Sequence, residues 1–230
     1  MTLITQTTHP PDMQGPHSVP GMAPAAPDWL RADDAYAAHM QRRLALLEDQ
    51  RADVLWLEPA ALEAAREVLD EALALLPALG FGRLGTAVIC PDGRAVEVDR
   101  ADPLGTLGTL GTLGQLVQED ICILIKRGAE RVLAGAVLCF PASWRLAEKA
   151  GRPLTGIHSS VAEYDAVLAR RVQRLFDGVR AGTPLWRYNR LWYEDAELHQ
   201  PRSTHAPHRI EPDRAAAPFI RSERQCVLRT

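Results

Sequence analysis

The chain has 230 residues, 47% of them hydrophobic, which is enough to bury a sizeable core as one domain or one domain with a helical extension. Its 26 Lys and Arg stand against 29 Asp and Glu, a formal net charge of -3. That balance argues against duplex nucleic acid and anionic membrane as partners, and pairs such as Lys126-Arg127 and Arg170-Arg171 read as solvated faces.

Met1 to Pro27 is polar and proline-rich, with Pro10, Pro11, Pro16, Pro20, Pro24 and Pro27, a composition that cannot repay the entropy of ordering, so residues 1–27 are expected to form a disordered leader. It does not read as a signal peptide, and no apolar run reaches membrane-spanning length; the expected compartment is the cytoplasm. Order is expected from about Trp29. Asp33 or Asp34 suits an N-cap, followed by Tyr36, Met40, Leu44 and Leu47 at helical spacing. A second helix takes Pro59 in its first turn and Leu62, Ala65, Leu69, Leu73 and Leu76 as its stripe, until Pro77 stops it.

The period then changes. Thr86–Cys90 and Arg94–Val98 are β-favouring runs around Pro91-Asp92-Gly93, a hairpin loop by its chemistry. Ile121–Ile125 and Arg131–Phe140 are apolar enough for central strands. Between the two pairs lies LGTLGTLGTLG, Leu104 to Gly114. It lacks the lysine of a P-loop and the spacing of a dinucleotide fingerprint, so a phosphate cradle is set aside and an expanded flexible loop is expected. Ser143 is expected to cap a helix that Gly151 and Pro153 terminate, and Ala162–Val179 carries an amphipathic stripe. Leu185–Tyr193 and Phe219–Leu228 read as later strands, giving an α+β domain with helices packed on a sheet.

Several side chains in this frame bear chemistry. Cys90, Cys122, Cys139 and Cys226 form no C-x-x-C pair, which speaks for reduced, mostly buried thiols over a zinc or iron–sulfur site. His158 follows a short helix; it is either a ring hydrogen-bonded near a helix start or a metal ligand whose second nitrogen is fixed by a carbonyl or carboxylate. His199, His205 and His208 occupy a polar, proline-containing loop and read as loop histidines, while His39 reads as solvent-facing on the first helix. Glu119 and Asp120 stand at a strand entrance, where a carboxylate orients a cationic amine, relays a proton or is merely solvated. Trp186, Tyr188, Trp192 and Tyr193 concentrate aromatics that either fill the core or wall a pocket.

Taken together, QEDICIL (Gln118 to Leu124), FPASWRLAEKAGRPLTGIH (Phe140 to His158), LWRYNRLW (Leu185 to Trp192) and RSERQ (Arg221 to Gln225) resemble the catalytic subunit of haem-dependent oxidative N-demethylases, over nearly all of the ordered chain. The resemblance implies a haem-binding Per-ARNT-Sim-like antiparallel sheet with packed helices and an N-terminal helical extension, spanning residues 28–230. It implies haem b with His158 as axial ligand, Arg145 and Arg224 as candidates to compensate the propionates, and Glu119, Asp120, Trp186, Arg187 and Asn189 as pocket candidates. The implied reaction is oxygen-dependent demethylation of a small secondary methylamine with release of formaldehyde. Electrons would come from a reductase whose subunits carry NADPH, FMN and a 2Fe-2S cluster. The LGT repeat and an end at Thr230, before the family's usual last strand and helix, mark the chain as an expected truncated member. Two other readings stay open: a haem-binding sensor without turnover, and a cofactor-free interaction protein.

Overall fold

A computed structural model describes residues 3–7, 21–24, 29–98, 100, 108–159, 164–206 and 219–230. Most of the expected leader lies outside these residues; of the part described, Ala23–Pro24 (β1) makes a short strand. Helix α1 (Tyr36–Asp49) buries Tyr36, Met40 and Leu47 as its spacing predicts, with Leu46 fully buried in place of the expected Leu44, which is half-buried. Its N-cap is Ala35 rather than an aspartate, but Asp33 does the satisfying: its Oδ1 accepts from Ala35 N at 2.9 Å and its carbonyl from Tyr36 N at 3.0 Å. A turn of helix α2 (Arg51–Val54) leads into strand β2 (Leu55–Leu57). Helix α3 (Leu62–Leu75) buries Ala65, Leu69 and Ala72, and a tight turn around Pro77 ends it.

The fold is α+β, with its strands divided among three small antiparallel sheets. β3 (Gly82–Leu84), β4 (Ala87–Ile89) and β5 (Ala95–Glu97) form a meander, closed at Pro91-Asp92-Gly93 by bonds between Cys90 and Arg94 and between Gly93 and Cys90.

The expected flexible LGT loop is not what forms. Its first triplet lies outside the described residues, but Gly108–Leu116 is helix α4, and Leu110, Leu113 and Leu116 are among the most buried side chains of the protein. The period of three explains the error. Leucines at i, i+3 and i+6 drift only slowly around a helix of 3.6 residues per turn, so they share one face. The intervening glycines permit close approach: a Cβ on Gly114 would stand 2.8 Å from Val137 Cγ2 and 3.1 Å from Leu47 Cδ1. Glycine here serves packing at the cost of helix propensity.

Strands β6 (Ile121–Arg127) and β7 (Glu130–Val137) form a hairpin, and β2 pairs on the far side of β7, giving the order β2-β7-β6. One face of this sheet meets the main core through Ile121, Ile123 and Val137, against α1, α3 and α4. The opposite face carries Leu133, Ala136 and Leu138, which pack with Leu146, Trp144 and Ile157. Two short helices, α5 (Leu146–Lys149) and α6 (Leu154–Ile157), lie there. Ser143 does not cap α5: Arg145 holds that position, and Ser143 sits at φ 63 while its N–H donates to Gln200 O at 3.0 Å. Helix α7 (Ala166–Gly178) starts later than its stripe suggests, because Asp165 caps it, accepting from Val167 N at 2.9 Å and Leu168 N at 2.7 Å. No residue of α7 is fully buried. The last sheet joins β8 (Leu185–Tyr193) to β9 (Phe219–Val227), with β1 on the outer side of β8. Among the described residues no helix is long and apolar enough to cross a membrane.

Candidate functional site

A cleft of 2140 Å³ opens between the second face of the β2-β7-β6 sheet, helices α6 and α7, and the β8-β9 pair. Alternation along β6 sends Ile121 and Ile123 into the core and Cys122 and Leu124 toward the cleft. Cys122 is reached by solvent yet surrounded by protein, the situation of a side chain on the floor of a deep hollow; burial and the nearby Asp120 push its thiol up to about 12.

His158 follows α6 as its C-cap and lines this cleft. Its Nδ1 lies 2.8 Å from Leu154 O. A carbonyl can only accept, so Nδ1 carries the proton and Nε2 keeps its lone pair. The ring stacks on Tyr164 with centroids 4.5 Å apart and planes at 18°. Burial holds the imidazole below its ordinary pKa, which keeps it neutral.

Glu119 and Asp120 have separate surroundings. Glu119 Oε1 accepts from Arg31 N at 2.8 Å, while Oε2 is buried with no hydrogen-bond partner. Desolvation raises its pKa to about 7, the Arg31 hydrogen bond and the cations Arg43 and Arg224 opposing it. A cleft-lining carboxyl that titrates near neutrality and keeps one buried oxygen unbonded suits proton exchange or cation binding. Asp120 is fully engaged: Oδ1 accepts from Arg43 at 2.6 Å and from Cys139 N at 2.8 Å, and Oδ2 from Phe140 N at 2.8 Å. Arg43 also donates to Gly114 O and Glu119 O, so the pair ties α1 to α4 and to both ends of the β6-β7 hairpin.

On β8, Tyr188 and Trp192 line the cleft; Trp186, Arg187 and Asn189 are not among the lining residues. Trp186 packs edge-on against Tyr188 and donates from Nε1 to Pro24 O at 3.1 Å. Arg187 donates to Gln225 Oε1 at 2.7 Å, and burial disfavours its charged form. Asn189 stands in register with Glu223 and hydrogen-bonds to it. Arg224 lines the cleft and donates to Trp29 O at 3.3 Å, whereas Arg145 is exposed at the start of α5 and outside the lining.

Other residues of the site carry no local sequence signal. His39 is not solvent-facing. It lines the cleft beside Phe140, and its Nδ1 accepts from Gln118 Nε2 at 3.0 Å. An amphipathic pattern cannot anticipate this, because the partner that turns the ring inward comes from the entrance to β6. Lys149 is buried, with Nζ donating to Ile157 O and lying 6.0 Å from the Trp144 ring centroid. Glu223 pairs with Arg221 at 2.7 Å. His199 Nδ1 donates to Cys139 O at 2.8 Å, His205 is exposed, and His208 lies outside the described residues. Among the described residues, no three His, Cys, Asp or Glu side chains gather into a metal-binding group. A porphyrin needs only one axial side chain from the protein, so this bears on non-haem metal sites alone.

The family model described as "haem-dependent oxidative N-demethylase, alpha subunit-like" matches residues 22–230. No curated protein matches the chain.

Proposed function

The chain belongs to the haem-dependent oxidative N-demethylase alpha-subunit-like family, and from that premise we propose that it carries haem b on His158 and removes the methyl group of a small secondary amine. The single observation that supports this most is the His158 ring: Leu154 O fixes its Nδ1 proton, leaving Nε2 as a neutral donor at the edge of a cleft roomy enough for a porphyrin. Leu124, Leu133, Leu138, Ile157 and Phe176 in the lining offer the macrocycle apolar walls. We read this sheet-and-helix pocket as Per-ARNT-Sim-like.

When bound, haem supplies the iron at which oxygen is activated. The overall step is RNHCH3 + O2 + 2 H⁺ + 2 e⁻ → RNH2 + CH2O + H2O, with electrons from a flavin and iron–sulfur reductase that oxidises NADPH. The chain's own residues bind and orient. Glu119 Oε2 takes the ammonium of the substrate and holds or accepts its proton, for which a pKa of about 7 is well placed. Arg224, which lines the cleft, would compensate the propionates with its guanidinium. Asp120 holds Arg43 and, through it, the backbone that aims Glu119. Trp186, Arg187 and Asn189 support the β8-β9 wall from outside the lining, and Arg145 is assigned no contact.

The test is an absorption titration of the purified chain with haem, followed by formaldehyde release from methylamines with oxygen, NADPH and a competent reductase. A Soret shift lost in His158→Ala, with formaldehyde above a free-haem control, is the expected result. Haem bound through His158 without formaldehyde would make the protein a sensor. No Soret shift would remove the haem reading.

A further inference from the structure

His158 is held by two backbone carbonyls in succession. Its own Nδ1 donates to Leu154 O, and the carbonyl of the preceding residue, Ile157, accepts from Lys149 Nζ. Lys149 reaches this point from the last turn of α5, 6% exposed, its ammonium also over the face of Trp144. A buried lysine costs solvation and is retained only where its donors are satisfied. Here they are spent on the one-turn helix that presents His158.

Among the described residues, the charge that acts on the ring has one sign. The Nδ1 proton goes to a neutral carbonyl, not to the carboxylate that commonly backs a metal-bound histidine and makes it a stronger donor. Among the described residues, the charged groups that act on the imidazole are Lys149 and Arg187, both cations. Glu148, the carboxylate next to Lys149 in sequence, is held at the surface by Thr204, whose N and Oγ1 both lie 2.7 Å from it.

We propose that Lys149 is a positioning residue for His158 which, by fixing the Ile157 carbonyl and placing a buried cation at the residue that precedes the ring, makes the axial ligand a weak donor and favours ferrous over ferric haem. The inference rests on His158 as axial ligand, but it fails separately from that reading. A cation in the low-dielectric interior destabilises the ferric state, which bears one more positive charge than the ferrous.

The experiment is a spectroelectrochemical titration of the haem-loaded full chain, comparing wild type with Lys149→Met, Lys149→Arg and Arg187→Gln. Lys149→Met is expected to cut the ferrous-to-ferric ratio at fixed poise by about tenfold, a fall of about 59 mV for one electron. Lys149→Arg, which keeps the charge, should stay within about threefold of wild type. Arg187→Gln should move the potential the same way as Lys149→Met, and it provides the readout if Lys149→Met does not fold. An unchanged potential in Lys149→Met, or in Arg187→Gln if the former is lost, with a histidine-ligated ferric spectrum, overturns the inference and leaves the axial assignment standing. A ferric spectrum unaltered by His158→Ala overturns the axial assignment and the inference with it.

Discussion

Arg43 and Asp120 form the ion pair on which the site is hung, the guanidinium side chain 0% and the carboxylate side chain 18% exposed, 2.6 Å apart. The other bonds of the pair go to backbone: Gly114 O, Gln118 O and Glu119 O from Arg43, Cys139 N and Phe140 N to Asp120. Removing Asp120 leaves a fully buried guanidinium without its counter-charge. Asp120→Ala is therefore expected to destabilise the protein by about 3–5 kcal/mol, read as a fall in the urea midpoint. A loss below about 1 kcal/mol would mean that water replaces the carboxylate.

The triplet repeat is structural. Leu113→Ala should cost about 2–5 kcal/mol through the cavity it leaves. Gly114→Leu should cost at least about 1–3 kcal/mol, since its first atom already collides with Val137 and Leu47. Thermal denaturation of both variants checks this, and wild-type melting in either would return the segment to the status of a loop.

Glu119 sets a pH dependence whose sign is fixed. Unfolded, it titrates near the ordinary 4.5; folded, near 7, because burial penalises the charge. The folded state then binds the proton more tightly, so this contribution is full below pH 4.5 and is lost as pH rises through about 7. The span corresponds to about 3 kcal/mol. Glu119→Gln, which cannot ionise, should match wild type in acid and gain stability relative to it above neutrality. Parallel stability curves for the two proteins across that range would place Glu119 in a solvated setting.

How much of this was legible beforehand depends on where each partner sits. The β6-β7 hairpin, β8, β9, α1 and α3 follow local periods, and the sequence carries those periods openly. Helix α4 was hidden because glycine content reads as flexibility, whereas Gly114 is required by Val137 and Leu47, residues distant in sequence. The inward turn of His39 depends on Gln118, and the free oxygen of Glu119 on a shell closed by Arg31 N. The single sheet expected gave way to three because neither β3–β5 nor β1-β8-β9 hydrogen-bonds to the β2-β7-β6 sheet. His158 was singled out by its motif, but its tautomer needed Leu154 O in place.

Cys122 offers a direct test of the proposed haem site. It is on the cleft floor, while Cys90 and Cys139 are buried and Cys226 is half-buried. Its thiol titrates at about 12, so alkylation should be slow at neutral pH and accelerate steeply toward about pH 9 and beyond as the thiolate fraction grows. Peptide mass spectrometry after iodoacetamide treatment should find Cys122 modified ahead of the buried pair. A porphyrin seated over β6 and held by His158 would cover that sulfur, so haem loading should slow the reaction at least about tenfold, and His158→Ala should restore it. Equal labelling with and without haem, when the Soret band reports full occupancy, would put the cofactor elsewhere in the cleft.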